Sequence, residues 1–123
     1  MAPRTSGQPP FTFAHADHLR ALPGPAAACE EKLHGMFAVD RRPGRGHVYY
    51  GMPGCGLMRV RADLARQEII VLPPDLREYN FHSTRIGQLD GQTRLFMPAN
   101  NDALVAVLTL DGRPDFVLEQ TAG

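Results

Sequence analysis

Short apolar stretches alternate with polar turns along this chain, and the alternation occurs twice. Residues 33–72 and 81–118 share one order of features, offset by roughly 46 residues. Each copy starts at a histidine, His34 or His82, and runs through an apolar stretch and a Gly-containing turn to a Met-Pro pair. A second apolar stretch, a polar turn and a closing Val-Leu follow. Repeats of this length made of short strands are typical of β-propeller blades.

The pattern predicts four strands in each copy. Asp90-Gly91 and Asp111-Gly112 are hairpin-turn signals, and the apolar run from Leu104 to Leu110 is typical of a strand buried on both faces. We therefore predict an all-β fold of two four-stranded propeller blades. The predicted strands are 35–39, 47–52, 57–61 and 68–72, then 84–89, 93–97, 104–110 and 116–118.

The same pattern divides the chain into three parts. Residues 1–10 are polar with Pro and Gly, which predicts a flexible tail. Residues 11–32, called the lead-in segment below, contain a β-prone stretch at Phe11–Phe13, a candidate ring-closing strand, and a predicted helical turn before Pro23. Residues 33–123 form the predicted two-blade unit, with blade one at 33–74 and blade two at 81–118.

Two blades do not close a ring, because propellers typically need about 4–8 blades around their channel. Unpaired blades would expose apolar surface and strand edges, which natural proteins avoid. We therefore expect the chain to complete a six-bladed ring as a homotrimer. A ring completed by a companion propeller chain and a piece of a larger protein are the alternatives.

Composition narrows the range of partners. The chain has 123 residues, of which 43% are hydrophobic, enough for one domain with its own core. Its 13 basic and 13 acidic residues balance, which argues against a nucleic-acid or membrane-surface partner. No apolar stretch approaches the roughly 18 residues that a bilayer requires, and residues 1–10 lack the apolar core of a secretory signal. We expect a cytoplasmic protein.

The chain has two cysteines, Cys29 and Cys55, too few to indicate a disulfide framework. Free thiols in a reducing compartment are the favoured interpretation. The alternative is a single bridge that ties the lead-in segment to blade one.

Several phrases of the sequence resemble one propeller family. HGMFAVD and FHSTRIGQLDG form the predicted inner strands, LTLDG precedes the last strand, and Leu22-Pro23 precedes the first blade. Over about residues 11–118 the chain resembles NHL-type six-bladed propellers, in particular those of the peptidyl-hydroxyglycine amidating-lyase and lactonase kind. The resemblance implies that histidines at the inner strands bind a divalent metal in the central channel. His82 and His34 are the positions that match.

The chemistry of the surrounding residues suggests roles for them. Imidazoles converging on a ring axis suit zinc or a similar divalent cation, which lowers the pKa of a bound water. Arg85 on an inner strand is suited either to fixing a substrate carboxylate or to an ion pair at a subunit contact. Tyr79 is a candidate acid or hydroxyl donor, with core packing as the alternative. Asn80 and Asn100 are candidate substrate-binding residues.

These observations leave three functional hypotheses. The first is a metal-dependent lyase or hydrolase with an axial histidine site acting on a small molecule. The second is a non-catalytic, lectin-like module that binds a small ligand, although the absence of Trp and the presence of only 3 Tyr disfavour sugar stacking. The third is a scaffold subunit without chemistry of its own.

Overall fold

The protein is mostly β, as the sequence predicted. The computed structural model describes residues 2–33 and 35–121. The strands are β1 (Thr5–Gln8), β2 (Phe11–Ala14), β3 (Ala38–Val39), β4 (Val48–Met52), β5 (Gly56–Val60), β6 (Gln67–Val71), β7 (Arg85–Leu89), β8 (Gln92–Ala99), β9 (Leu104–Leu108) and β10 (Pro114–Glu119). Helical structure is limited to single turns: α1 (Gly24–Ala27), α2 (Pro74–Arg77) and 3-10 turns at Asp17–Leu19 and Glu30–Lys32.

The strands form three antiparallel sheets. β1 and β2 form an isolated hairpin whose residues are all exposed. Sheet one has the order β3-β4-β5-β6, and sheet two has the order β7-β8-β9-β10. Each four-stranded sheet is a simple meander in which neighbours in sequence are neighbours in space. The two sheets therefore share one topology, as expected of a structural repeat.

The main core lies between the two sheets. Residues on one face of sheet one, including Tyr49 and Leu57, form a single buried cluster with residues on one face of sheet two, including Leu95, Met97 and Leu108. We call these the inner faces. The sheets approach closely at Gly51, where an added Cβ would lie 2.9 Å from the Cβ of Phe81. Any larger residue at position 51 would push the sheets apart.

The lead-in segment covers the other face of sheet one, its outer face. Ala26 in α1 is fully buried, and it forms a second cluster with Tyr50, Met52 and Met58. Polar contacts fix the segment as well. The side-chain amide of Gln67 donates to the carbonyl oxygens of Leu19 and Ala21 at 2.7 and 3.0 Å. The Tyr50 hydroxyl in turn donates to Gln67 Oε1 at 2.8 Å.

The outer face of sheet two carries an apolar row and is open. The register places Phe116 opposite Val107, and Val107 opposite Phe96. Leu118 lies opposite Val105 in the same way. Directly opposed residues of antiparallel strands share a face. Phe116 and Leu118 are 38% and 55% exposed, so water reaches the β10 part of this row, whereas Val107 at its centre is fully buried.

The predicted strands match the observed strands to within a few residues, but the N-terminal region differs from expectation. Residues 5–8 pair with 11–14, where a flexible tail was expected, since the chain reverses at Pro9-Pro10. α1 begins at Gly24, directly after Pro23, although a Pro-Gly-Pro run usually interrupts regular structure. Proline is tolerated in the first turn of a helix because its missing N–H has no partner there. The same reason applies to α2, which begins at Pro74.

Candidate functional site: a cleft between the first strands of the two sheets

A cleft of about 430 Å3 lies where the first strands of the two sheets, β3 and β7, run side by side. Residues 36–42 form one wall and residues 84–88 form the other. The backbone joins the walls at one end, where the Met36 N–H donates to the His82 carbonyl oxygen at 3.0 Å. The cleft therefore has walls made of backbone held in sheets, which keeps its shape defined.

An ion pair between a buried carboxylate and an exposed guanidinium lies at the end of β3. Asp40 is 1% exposed, and its carboxylate accepts bidentate hydrogen bonds from the Arg42 guanidinium at 2.9 and 2.7 Å. The Arg42 backbone N–H donates to the same carboxylate at 3.2 Å. The guanidinium holds the pKa of Asp40 below its ordinary value despite burial, which acts in the opposite direction. Asp40 is therefore ionised, and Arg42 both neutralises its charge and bonds its carboxylate oxygens.

In the opposite wall, by contrast, a buried hydroxyl lacks a hydrogen-bond partner within the described residues. Thr84 is 2% exposed, and its Oγ1 has no hydrogen-bond partner among the residues that the structure describes. Buried polar groups in native proteins are nearly always bonded, because an unpaired one costs about 1–3 kcal/mol. Thr84 lines the cleft, but its Oγ1 is covered from water, so a molecule in the cleft reaches the hydroxyl only if the side chain rotates.

The cleft carries excess positive charge. Three arginines line it, Arg41, Arg42 and Arg85, against the single carboxylate of Asp40. Asp40 is matched by Arg42, and within the described chain no hydrogen bond or ion pair is recorded for the guanidinium groups of Arg41 or Arg85. Both side chains are exposed. The cleft is therefore electrostatically suited to an anion.

The site residues predicted from the sequence lie in several different parts of the structure. Arg85, at the start of β7, lines the cleft. His82 lies three residues earlier, is partly buried and donates its backbone N–H to the Pro98 carbonyl oxygen at 3.2 Å. His34 lies outside the described residues. Tyr79 is partly buried and packs against the main core, with its ring centroid 6.1 Å from that of Phe81.

The two asparagines lie elsewhere. Asn80 lines a separate cleft with Lys32, Gly54 and Glu78, and its Oδ1 is buried with no hydrogen-bond partner in the described part of the chain. Asn100 is exposed in the turn after β8. The structure thus brings Arg85 together with Thr84 and Asp40, and does not place Asn80, Asn100 or Tyr79 in the same cleft.

The described part of the chain does not assemble a metal centre by itself. Among residues 2–33 and 35–121, no group of three or more His, Cys, Asp or Glu side chains is arranged to hold a metal ion. An axial metal site would therefore need ligands from several chains, or from residues outside those ranges.

Sequence reasoning missed Thr84 and the Asp40–Arg42 pair. A threonine just before a strand is ordinarily bonded to nearby backbone, so nothing in the sequence distinguished Thr84. The pair was detectable only as an Asp at the end of an apolar run with an Arg two positions later.

With this geometry established, the chain was compared with known proteins. No protein family, curated protein or solved structure matches it. Within the described ranges, none of the helices has the length and apolar character that crossing a bilayer requires.

Proposed function

We propose that this chain is a ligand-binding propeller module whose cleft between β3 and β7 takes a small amphiphilic anion, such as a carboxylate with a short apolar tail. The observation that carries the proposal is the pair of exposed guanidinium groups, Arg41 on one wall and Arg85 on the other, neither of which has a hydrogen bond or ion pair within the described chain. A carboxylate is able to accept hydrogen bonds from both donors at once.

The apolar part of the ligand follows from the rest of the lining. Met36 and Val39 line the cleft and are 55% and 43% exposed, so both present apolar surface to water. An apolar tail placed against them would remove that surface from water and add to the affinity. The same argument disfavours a small, fully hydrated anion such as acetate.

The test is a calorimetric titration of the full chain with hexanoate. We expect binding of hexanoate and much weaker binding of hexanamide, which has the same tail without the charge, and of acetate, which has the charge without the tail. Arg85→Gln should weaken hexanoate binding about 10-fold or more, because a charged hydrogen bond is lost. Arg41→Gln should also weaken it. Equal affinity for hexanoate and hexanamide would refute the anion site.

Arg113→Gln provides the matched control. Arg113 is an exposed arginine in the β9–β10 turn, 3.4 Å from Asp111 and remote from the cleft lining. If Arg113→Gln reduced hexanoate affinity as much as Arg85→Gln does, the effect would come from net charge and the cleft would not be the site.

The propeller part of the proposal rests on the sheets. Both are four-stranded antiparallel meanders in the same strand order, stacked on their inner faces with their first strands side by side. This is the arrangement expected of neighbouring blades. It supports the resemblance to NHL-type propellers, and in a closed ring the cleft would form part of the wall of a central channel.

The open outer face of sheet two supports association between copies of the chain, most simply a homotrimer that completes six blades. The accessible part of the apolar row, Phe116 and Leu118 with the half-buried Phe96, would pack against the outer face of sheet one in a neighbouring copy. The lead-in segment covers that face here, so ring closure requires the segment to move aside. A companion propeller chain that presents its own uncovered sheet is the alternative partner.

Light scattering at micromolar concentration tests this association. We expect a mass above that of a monomer, reduced to the monomer mass by Phe96→Lys. A monomeric wild-type chain would refute self-assembly while leaving the hexanoate test unaffected.

A metal-dependent lyase or hydrolase in the cytoplasm is the second proposal. It is favoured by the position of His82, three residues before the arginine that lines the cleft, and by two cysteines that are free thiols in the structure. In a ring, copies of His82 and His34 would supply the divalent metal, such as zinc, with Arg85 and Tyr79 as catalytic groups. Elemental analysis tests this proposal. Stoichiometric metal in the wild-type protein and in His15→Ala, but not in His82→Ala, would support it. A metal-free wild-type protein would refute it.

A further inference from the structure

Two cysteines that are distant in sequence meet where the lead-in segment crosses sheet one. Cys29 follows α1, and Cys55 lies in the turn between β4 and β5. Their Sγ atoms are 3.2 Å apart, and both are free thiols. A Cβ at Gly54 would lie 3.1 Å from Cys29 Sγ, so the glycine leaves room for that thiol. A disulfide needs about 2.05 Å between sulfurs, a distance that small side-chain rotations can close.

The two thiols differ in accessibility. Cys55 is 6% exposed, and its Sγ lies 2.8 Å from the Pro25 carbonyl oxygen. Burial, with a contribution from Cys29, raises the pKa of Cys55 to about 11. Cys29 is more exposed. An external reagent therefore meets Cys29 first, and Cys55 is held in place as the second thiol.

We propose that Cys29 and Cys55 are a redox modification site: a small disulfide such as glutathione disulfide converts them to an intramolecular bond that fastens the lead-in segment to sheet one. The Cys29 thiolate attacks one glutathione sulfur, forms a mixed disulfide and releases one glutathione thiolate. Cys55 then loses its proton to solvent and attacks Cys29 sulfur, which releases the second glutathione. In sum, two protein thiols are oxidised and one glutathione disulfide is reduced to two glutathione thiols.

The bond would control whether the outer face of sheet one is accessible. The segment that it fastens places Ala26 against Tyr50, Met52 and Met58, and leaves that face covered. With the thiols reduced, the segment is held by packing and by hydrogen bonds, among them those of Gln67, of His18 with the Leu64 carbonyl oxygen and of the Cys55 thiol with the Pro25 carbonyl oxygen. With the thiols oxidised, the segment cannot leave without reduction. This inference does not depend on the cleft or on its ligand.

Peptide mapping tests the bond directly. The full chain is incubated with glutathione disulfide, blocked with an alkylating reagent and digested with trypsin without reduction. Cleavage after Arg20, Lys32, Arg45 and Arg59 places the two cysteines in peptides 21–32 and 46–59. We expect these peptides to be linked, the whole chain to lose the mass of two hydrogens, and the thermal midpoint to rise by about 8 °C.

Single variants serve as controls. Cys55→Ser should stop at a stable glutathione adduct on Cys29, and Cys29→Ser should react slowly and show no rise in midpoint. A stable glutathione adduct on the wild-type chain, disulfide-linked dimers or an unchanged midpoint would each overturn the proposal.

Discussion

Replacement of Thr84 by valine should stabilise the ligand-free protein, although a substitution in a buried position usually destabilises. Valine has nearly the shape of threonine, so the change removes the hydroxyl and leaves the packing. Thr84 is 2% exposed, and its hydroxyl has no hydrogen-bond partner in the described ranges. An unpaired buried polar group costs about 1–3 kcal/mol. Thr84→Val should therefore raise the free energy of unfolding by about 1 kcal/mol or more.

Thermal and urea unfolding provide the assay. Circular dichroism is the suitable signal because the chain has no Trp. For a chain of this size, 1 kcal/mol corresponds to a rise in melting temperature of about 4 °C. Wild type and variant must be compared at one protein concentration, since association shifts apparent stability.

Thr93→Val is the matched control. Thr93 Oγ1 accepts a hydrogen bond from Gln88 Nε2 at 2.8 Å, so its removal should lower stability slightly, by less than about 1 kcal/mol. If Thr84→Val destabilised the protein by about 1 kcal/mol or more, the Thr84 hydroxyl would be satisfied in the ligand-free state. Thr84 would then not be a position in the cleft wall where a hydrogen bond is missing.

Three further predictions concern the sheets and the ion pair. Gly51→Ala should lower the free energy of unfolding by about 1–3 kcal/mol, because the new Cβ meets Phe81, whereas Gly24→Ala, with nothing within 4 Å of its Cβ, should be nearly neutral in urea unfolding. The pKa of Asp40 is lowered in the folded state, so its contribution to stability is present above the unfolded pKa and lost as pH falls through the folded pKa. The stability difference between wild type and Asp40→Asn should therefore shrink on acidification from about pH 5 to about pH 2, and a constant difference would contradict the assigned cause. Phe96→Lys should leave the monomer folded while abolishing association, as scattering and circular dichroism together would show; unfolding of the variant monomer would instead make Phe96 a core residue.

The alternation of apolar and polar residues was sufficient to predict the strands of both sheets, because inward and outward side chains alternate along each strand. The pattern overstated the length of one strand. The run from Leu104 to Leu110 was expected to be a strand buried on both faces. Burial on both faces is confirmed at the neighbours Ala106 and Val107, which are 0% exposed, but β9 ends at Leu108, where Thr109 and Asp111 bond to each other and start the turn. Val105 is only half buried on the outer face.

The covering of sheet one by the lead-in segment was beyond the sequence pattern. Small residues such as Ala26 carry no periodic signal, and their burial depends on contacts with distant residues such as Met52 and Met58. The cleft was predictable in part. Arg85 was identified from its place on an inner strand, whereas the roles of Thr84 and Asp40 depend on hydrogen bonds that are made or left unmade only in the folded chain.

The most direct test of the account is to map hexanoate binding by amide chemical shifts of the isotopically labelled chain. We predict that the largest shifts fall on residues 36–42 and 84–88, the two walls of the cleft, with the amide of Arg85 among the largest, and that hexanamide produces far smaller shifts. Shifts confined to other parts of the chain, or equal shifts with hexanoate and hexanamide, would contradict the assignment of this cleft as an anion-binding site.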